Sequence, residues 1–285
     1  MYVEPKENHI ECMTADDGVE IPVRVFGPDA RDVPLVMLHG LRSHSAWFAQ
    51  SASFVASLGH PVYSFDRRGS GLSRQTRGHI TRFQIMIEEI HTVAAAVARR
   101  HGRERVHLLG HCFGAVPAAI FACCYPERVE SLILPTPGIH THDAVALRAR
   151  LQVPVLALVR ATQPIALSLQ PEDLADLEAD RRLIREDPLS LHALTAGFCF
   201  QIFRARRYLH RNKRRLTAPL FMALAGADRI SDNQRNIAFF HAVASRNRSL
   251  TVYPNATHIL ELSPEKDAFF RDLAAWIAGD HDRDR

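Results

Sequence analysis

The chain has 285 residues, 47% of them hydrophobic and 23% charged, with a net charge of +4 when histidine is neutral. That balance is globular and supports a large core, and it excludes a disordered or collagen-like chain. The mild positive charge carries no nucleic-acid footprint without a folded basic face.

In chain order, His9 to Ala15 and Val19 to Phe26 flank Asp16-Asp17-Gly18, a hairpin signal, so the chain opens with an antiparallel pair. Pro34 to Leu38 is an apolar strand that runs into His39-Gly40-Leu41-Arg42-Ser43-His44. Ala46 to Leu58 carries Trp47, Phe48, Phe54, Val55 and Leu58 at helical spacing and ends at Gly59. Pro61 to Phe65 is the next strand, followed by Asp66-Arg67-Arg68-Gly69-Ser70-Gly71-Leu72-Ser73. A helix over about Thr81 to Arg100, a strand Val106 to Leu109, a helix Ala115 to Tyr125 and a strand Ser131 to Leu134 follow. Helices and strands in alternation predict an α/β fold with a largely parallel sheet covered on both faces.

From about Gly138 to Leu216 the alternation stops, and the segment reads as a mostly helical insertion above the sheet. It resumes with the strand Pro219 to Ala225, a helix near Asp232 to Ala244 with Asp232 as cap, and the strand Ser249 to Tyr253. Ser263 as N-cap and Pro264 at the first helical position open a last helix, and Gly279 begins a charged tail. The expected organisation is a core of 1–137 and 217–285 around a cap of 138–216, with eight strands in the core.

The stretch Val106 to Ala115 carries the chemistry. A buried strand runs into Gly110-His111-Cys112-Phe113-Gly114 and then a small, apolar helix, which is the pattern of a nucleophile elbow. The turn is so tight that a side chain at either glycine would meet neighbouring backbone, and the residue between them is strained and points out above the sheet. Here that residue is Cys112. Such a nucleophile needs a base, an orienting acid and oxyanion donors, with acid and base on loops after later strands. Asp228 lies in the loop after Ala225, and His258 lies after the strand ending at Tyr253, so both fall in the required order. His258 would take the thiol proton and Asp228 would hold the imidazole. The oxyanion donors are expected at the backbone N–H groups of Leu41 and Phe113. His44 and His111 lie beside the site in sequence and are candidates for lining the substrate, with packing or positioning as the alternative.

Gly69-Ser70-Gly71 resembles half a phosphate loop, but no G-x-G-x-x-G or Walker pattern follows, so it reads as a structural turn. The basic run Arg204 to Arg215 reads as a solvated helix face or as a patch for an anionic membrane, a CoA phosphate or a carrier protein. The five cysteines have no paired spacing, so neither a disulfide framework nor a metal site is expected, and no cofactor. No apolar run of membrane-spanning length is present, and Met1 to Lys6 lacks a signal-peptide core. The expectation is a reduced, cytoplasmic protein with at most peripheral membrane contact.

Taken together, His39-Gly40, Asp66 to Ser73, the elbow, Ala225 to Ile230 and His258-Ile259-Leu260 resemble the α/β-hydrolase superfamily, and its monoacylglycerol lipase and lysophospholipase branch most. Pro171-Glu172-Asp173-Leu174 and Asp187-Pro188-Leu189 resemble that branch's cap. The resemblance implies the α/β-hydrolase fold, esterase, lipase or thioesterase chemistry on acyl groups, and a cap that shapes an apolar acyl pocket. Cys112 departs from the branch's serine and resembles dienelactone hydrolases and polyhydroxyalkanoate synthases at that one place. Three readings follow: a cysteine-dependent hydrolase of a small-molecule ester, thioester or lactone, an acyltransferase or condensing enzyme with the same triad, and a non-catalytic binding protein.

Overall fold

A computed structural model of the chain describes residues 9–142 and 147–279. The N-terminal segment before His9 and most of the charged tail lie outside the described residues. The strands are β1 (His9–Thr14), β2 (Glu20–Phe26), β3 (Leu35–Leu38), β4 (Val62–Phe65), β5 (Val106–Gly110), β6 (Val129–Pro135), β7 (Pro164–Ala166), β8 (Ala193–Thr195), β9 (Leu220–Ala225) and β10 (Arg248–Tyr253). The helices are α1 (Ala49–Ser57), α2 (Gln84–Arg100), α3 (Ala115–Cys124), α4 (Leu147–Val159), α5 (Pro171–Leu174), α6 (Glu178–Glu186), α7 (Ala196–Asn212), α8 (Asn233–Ala242) and α9 (Lys266–Ile277).

Eight strands form one sheet in the order β1-β2-β4-β3-β5-β6-β9-β10. β1 pairs antiparallel with β2, and β2 antiparallel with β4. All remaining pairs in this sheet are parallel. The expected mostly parallel, eight-stranded sheet flanked by helices is present.

Strand periodicity explains how both faces are filled. Val36, Leu38, Leu108, Leu132, Leu134, Met222 and Leu224 enter one apolar cluster, which α2 and α3 cover. Their neighbours Leu35, Met37, Leu109, Ile133, Phe221 and Ala223 enter the other, under α1 and α9. Alternate residues of a strand point to opposite faces, so a continuous apolar run is what a doubly covered strand requires. α3 is apolar on every side and nearly all of it is buried, as its sequence predicts.

Two helix starts differ from the expectation. Before Gln84 the chain makes only tight i→i+3 turns, with Ile85 N donating to Arg82 O and Met86 N to Phe83 O, so α2 begins after Thr81. Ser263 does not cap the last helix. Its hydroxyl donates to Leu260 O and accepts from Glu265 N, which uses it in a preceding turn, and α9 starts at Lys266.

Between β6 and β9 lie α4 to α7. The segment also holds a short antiparallel pair, β7 with β8, that the helical reading missed. This insertion is bolted to the core by polar contacts. Asp187 accepts from His44 Nε2 at 2.8 Å and from Trp47 Nε1, Arg42 donates to Leu169 O, and Arg77 donates to Leu189 O. Among the described residues no helix is long and apolar enough to cross a membrane.

Candidate active site

β3 and β5 are neighbours, whereas the chain goes from β3 to β4 on the other side. The sheet order therefore reverses between them, and the crevice beyond their C-terminal ends is where an open α/β sheet places a ligand. The loop after β3 and the elbow after β5 meet in that crevice.

Cys112 has φ of +49°, a left-handed conformation that non-glycine residues rarely adopt. Its neighbours explain why it is held there. A Cβ on Gly110 would lie 2.5 Å from Gly114 O, and one on Gly114 would lie 2.7 Å from Leu38 O. Both glycines are demanded by close backbone approach, as the spacing predicts. A third close approach was not read from the sequence: Gly138 N donates to Cys112 O at 2.7 Å, tying the elbow to the loop after β6.

Asp228, in the loop after β9, is fixed by its own turn. Its Oδ1 accepts from Ile230 N at 2.8 Å and Ser231 N at 2.9 Å. The carboxylate accepts from His258 Nδ1 at 3.0 and 2.9 Å. His258, in the loop after β10, is buried, and its Nε2 has no partner of regular hydrogen-bond geometry. Its neighbour on that side is Cys112, and such contacts are often loose before substrate binds.

The three groups shift one another. Burial raises the Cys112 thiol, but the charge and hydrogen bond of His258 outweigh it, so the thiol is held below its ordinary value. Burial lowers His258, yet Asp228 and Cys112 lift it well above the ordinary histidine value. Asp228 is held low by His258 and the loop amides against the opposing effect of burial. Both shifts run in the direction of a thiolate beside an imidazolium.

The cavity above the elbow measures about 440 Å³. Leu41, Phe113, Leu169, Leu194, Ile202 and Phe203 supply much of its apolar wall, and Cys112 lies in it. Arg206 is its cationic edge and donates to Gly138 O and Thr141 Oγ1, so this member of the basic run points inward. Arg211, Arg214 and Arg215 lie farther along the same run, outside the cavity wall.

Leu41 and Phe113 line the cavity together with Cys112, and the Phe113 N–H interacts with the thiol. Neither His44 nor His111, named as candidates for lining the substrate, is in the wall of this cavity. His44 is turned away to Asp187. His111 stacks on Phe48 with ring centroids 3.8 Å apart, and burial, aided by the charge of His258, pushes it down to about 3. The Gly69-Ser70-Gly71 stretch is a structural turn, closed around Asp66, whose carboxylate accepts from Ser45 N and Leu72 N. Among the described residues no group of three or more His, Cys, Asp or Glu is placed to hold a metal ion.

The family described as serine aminopeptidase, S33 (Hydrolase_4) matches residues 30–265. The chain belongs to this α/β-hydrolase family. The monoacylglycerol lipase of Mycolicibacterium smegmatis is 27% identical over 268 residues, covering 91% of this chain and 93% of that protein. Among solved structures, the monoacylglycerol lipase of Paleococcus ferrophilus matches with a TM-score of 0.83 at 20% identity, covering 92% of this chain and 99% of that one. A soluble variant of the Saccharomyces cerevisiae monoglyceride lipase, in complex with a substrate analog, matches with a TM-score of 0.85 at 18% identity, covering 100% and 98%. Those structures establish the α/β-hydrolase fold. The family description names a serine, and the elbow of this chain carries Cys112 instead.

Proposed function

We propose that the protein is a cysteine-dependent acyl hydrolase that cleaves esters or thioesters with an apolar acyl group through an acyl-Cys112 intermediate. The observation that carries this reading is the strained Cys112 facing an apolar cavity with the buried His258–Asp228 pair behind it. The similar proteins named as monoacylglycerol lipases support acyl ester hydrolysis as the reaction class.

In the first half-reaction the Cys112 thiolate adds to the acyl carbonyl. The N–H groups of Leu41 and Phe113 receive the oxyanion. The tetrahedral adduct collapses as His258 donates its proton to the leaving alkoxide or thiolate, which leaves a thioester on Cys112. In the second half, neutral His258 takes a proton from water, hydroxide adds to the thioester, and the acid departs as Cys112 regains its charge and His258 its proton.

Cysteine also favours a second outcome. Compared with an oxyester, a thioester discriminates more strongly for amines and thiols over water, so the same residues serve acyl transfer to such an acceptor. Intact mass after exposure to monoacylglycerols, activated acyl esters and acyl-CoAs decides among the readings. A wild-type adduct absent from Cys112→Ala and lost in plain buffer is the expected result. An adduct that persists until an amine or alcohol is added means transfer. No adduct from any donor means the hydrolase reading is wrong.

A further inference from the structure

The oxyanion donor at Leu41 is one peptide in a loop, and something must fix its orientation. Arg67, in the loop directly after β4, is buried at 5% exposure. Its Nη1 donates to Gly40 O and its Nη2 to Leu41 O, each at 2.6 Å. His39 is buried beside it. Arg67 N donates to His39 Nε2, and His39 Nδ1 lies 2.8 Å from Gly40 O and 3.0 Å from Arg67 Nη1. Burial and the neighbouring Arg67 charge keep His39 well below its ordinary value, in agreement with a neutral ring.

A trans peptide points its C=O and N–H in opposite directions. With Gly40 O held back by Arg67, the N–H of Leu41 faces the other way, toward the cavity that Leu41 shares with Cys112. The loop runs close there: a Cβ on Gly40 would lie 3.3 Å from the Cys112 Cβ.

The charge on Arg67 is also unusual in its surroundings. Among the described residues no carboxylate hydrogen-bonds it, because Asp66 is occupied by Ser45 N and Leu72 N. Its guanidinium instead lies 5.3 Å from the ring centroid of Phe113, the residue that bears the other donor, and 5.9 Å from that of Phe198. Burial pulls it down to about 9, which leaves it cationic at neutral pH. A buried cation spent on two carbonyls of one loop costs desolvation, and stability alone supplies no reason to place it at this loop.

We infer that Arg67 is the positioning residue of the oxyanion hole, clamping the carbonyls of Gly40 and Leu41 so that the Leu41 N–H is aimed at the acyl oxygen above Cys112. The assignment rests on Cys112 being the nucleophile. The planar guanidinium forks to reach two carbonyls at once, which an ammonium does not.

Two reactions at the same sulfur separate this role from a merely structural one. Acylation by p-nitrophenyl octanoate passes through a tetrahedral oxyanion, whereas alkylation by iodoacetamide displaces iodide and forms none. Arg67→Met is expected to slow acylation by about 10²–10³-fold, the cost typical of losing one oxyanion donor, with alkylation of Cys112 within a few-fold of wild type. Arg67→Lys retains a cation for one carbonyl and is expected to recover part of the acylation rate with alkylation again retained, so it serves should the Met variant fail to fold. Acylation unchanged in both variants, or acylation and alkylation falling together in the Lys variant, would overturn the assignment. A wild type that alkylates at Cys112 but accepts no acyl group overturns the proposed function itself, and this assignment with it.

Discussion

Replacing Asp228 with Asn tests how the resting charge of the site is set. Asn keeps an oxygen that can accept from Ile230 N and Ser231 N, so the loop has no reason to rearrange. What changes is the charge beside His258 Nδ1. Two unit charges about 4 Å apart interact by about 4 kcal/mol at an effective dielectric near 20, so the Asp228 charge is a major part of what favours a protonated His258. Loss of Asp228 lowers His258, and a neutral His258 no longer stabilises the Cys112 thiolate. Asp228 also repels the thiolate directly, and its removal acts the other way. That effect is the smaller one, because the carboxylate bonds His258 and not Cys112. The net expectation is an upward move in the midpoint for thiolate formation.

The assay is the pH dependence of iodoacetamide alkylation at Cys112, read by intact mass. Wild type should keep its reactivity to lower pH than a free thiol, which ionises at about 8.5. Asp228→Asn should lose reactivity through that window and regain it at high pH. Acyl turnover should fall further, by about 10⁴-fold where Asn also imposes the wrong imidazole tautomer. A midpoint that stays in place or moves down in the variant would refute the claim that Asp228 acts through His258.

Three further outcomes follow from particular contacts. Gly114→Ala places a Cβ 2.7 Å from Leu38 O, so the elbow must shift; the expected cost is about 1–3 kcal/mol in urea unfolding together with loss of acylation. Asp187→Ala removes the acceptor shared by the buried His44 and the half-buried Trp47 and leaves both donors without it, at about 1–3 kcal/mol; hydrogen exchange should rise first in the segment around α6 and the Asp187 turn. Glu261 is buried against Ser51, and burial pushes it up to about 7. The folded state therefore holds a proton that the unfolded chain releases near pH 4.3, so wild type should lose up to about 3–4 kcal/mol relative to Glu261→Gln as pH rises from about 4 through about 7; parallel stability curves for the two proteins would contradict this.

Much of the site was legible because its parts are local. The elbow needs two glycines about one side chain, and Asp228 and His258 need only to follow later strands. Strand runs such as Leu35 to Leu38 name their own environment, since only a doubly covered strand is apolar at every position. What stayed hidden is the direction of a side chain. His44 and Asp187 are 143 residues apart, and only the folded insertion turns His44 out of the cavity. β7 and β8 are three residues each, too short for their period to stand out inside a helical segment. Arg67 sits in a charged triplet, Asp66-Arg67-Arg68, in which Arg68 pairs with Glu89 and Asp17 while Arg67 turns inward. The one available signal was a charge directly after a buried strand.

Cysteine alters the order of proton movements that this frame supports. With a serine the base must remove a proton as the nucleophile attacks. The lowering of Cys112 and the raising of His258 both move the proton toward His258, which in the proposed reaction is the group that delivers it to the leaving group. Acylation then consumes the thiolate, and the thiolate is one of the charges that lift His258. Once the thioester forms, His258 has given up its proton and stands neutral, able to draw one from the attacking water and to keep it as the returning thiolate lifts its affinity again. On this reading the nucleophile's own charge switches the histidine between its two roles, and Arg67 serves both halves by holding the Leu41 donor in place while the charge moves from sulfur to oxygen and back.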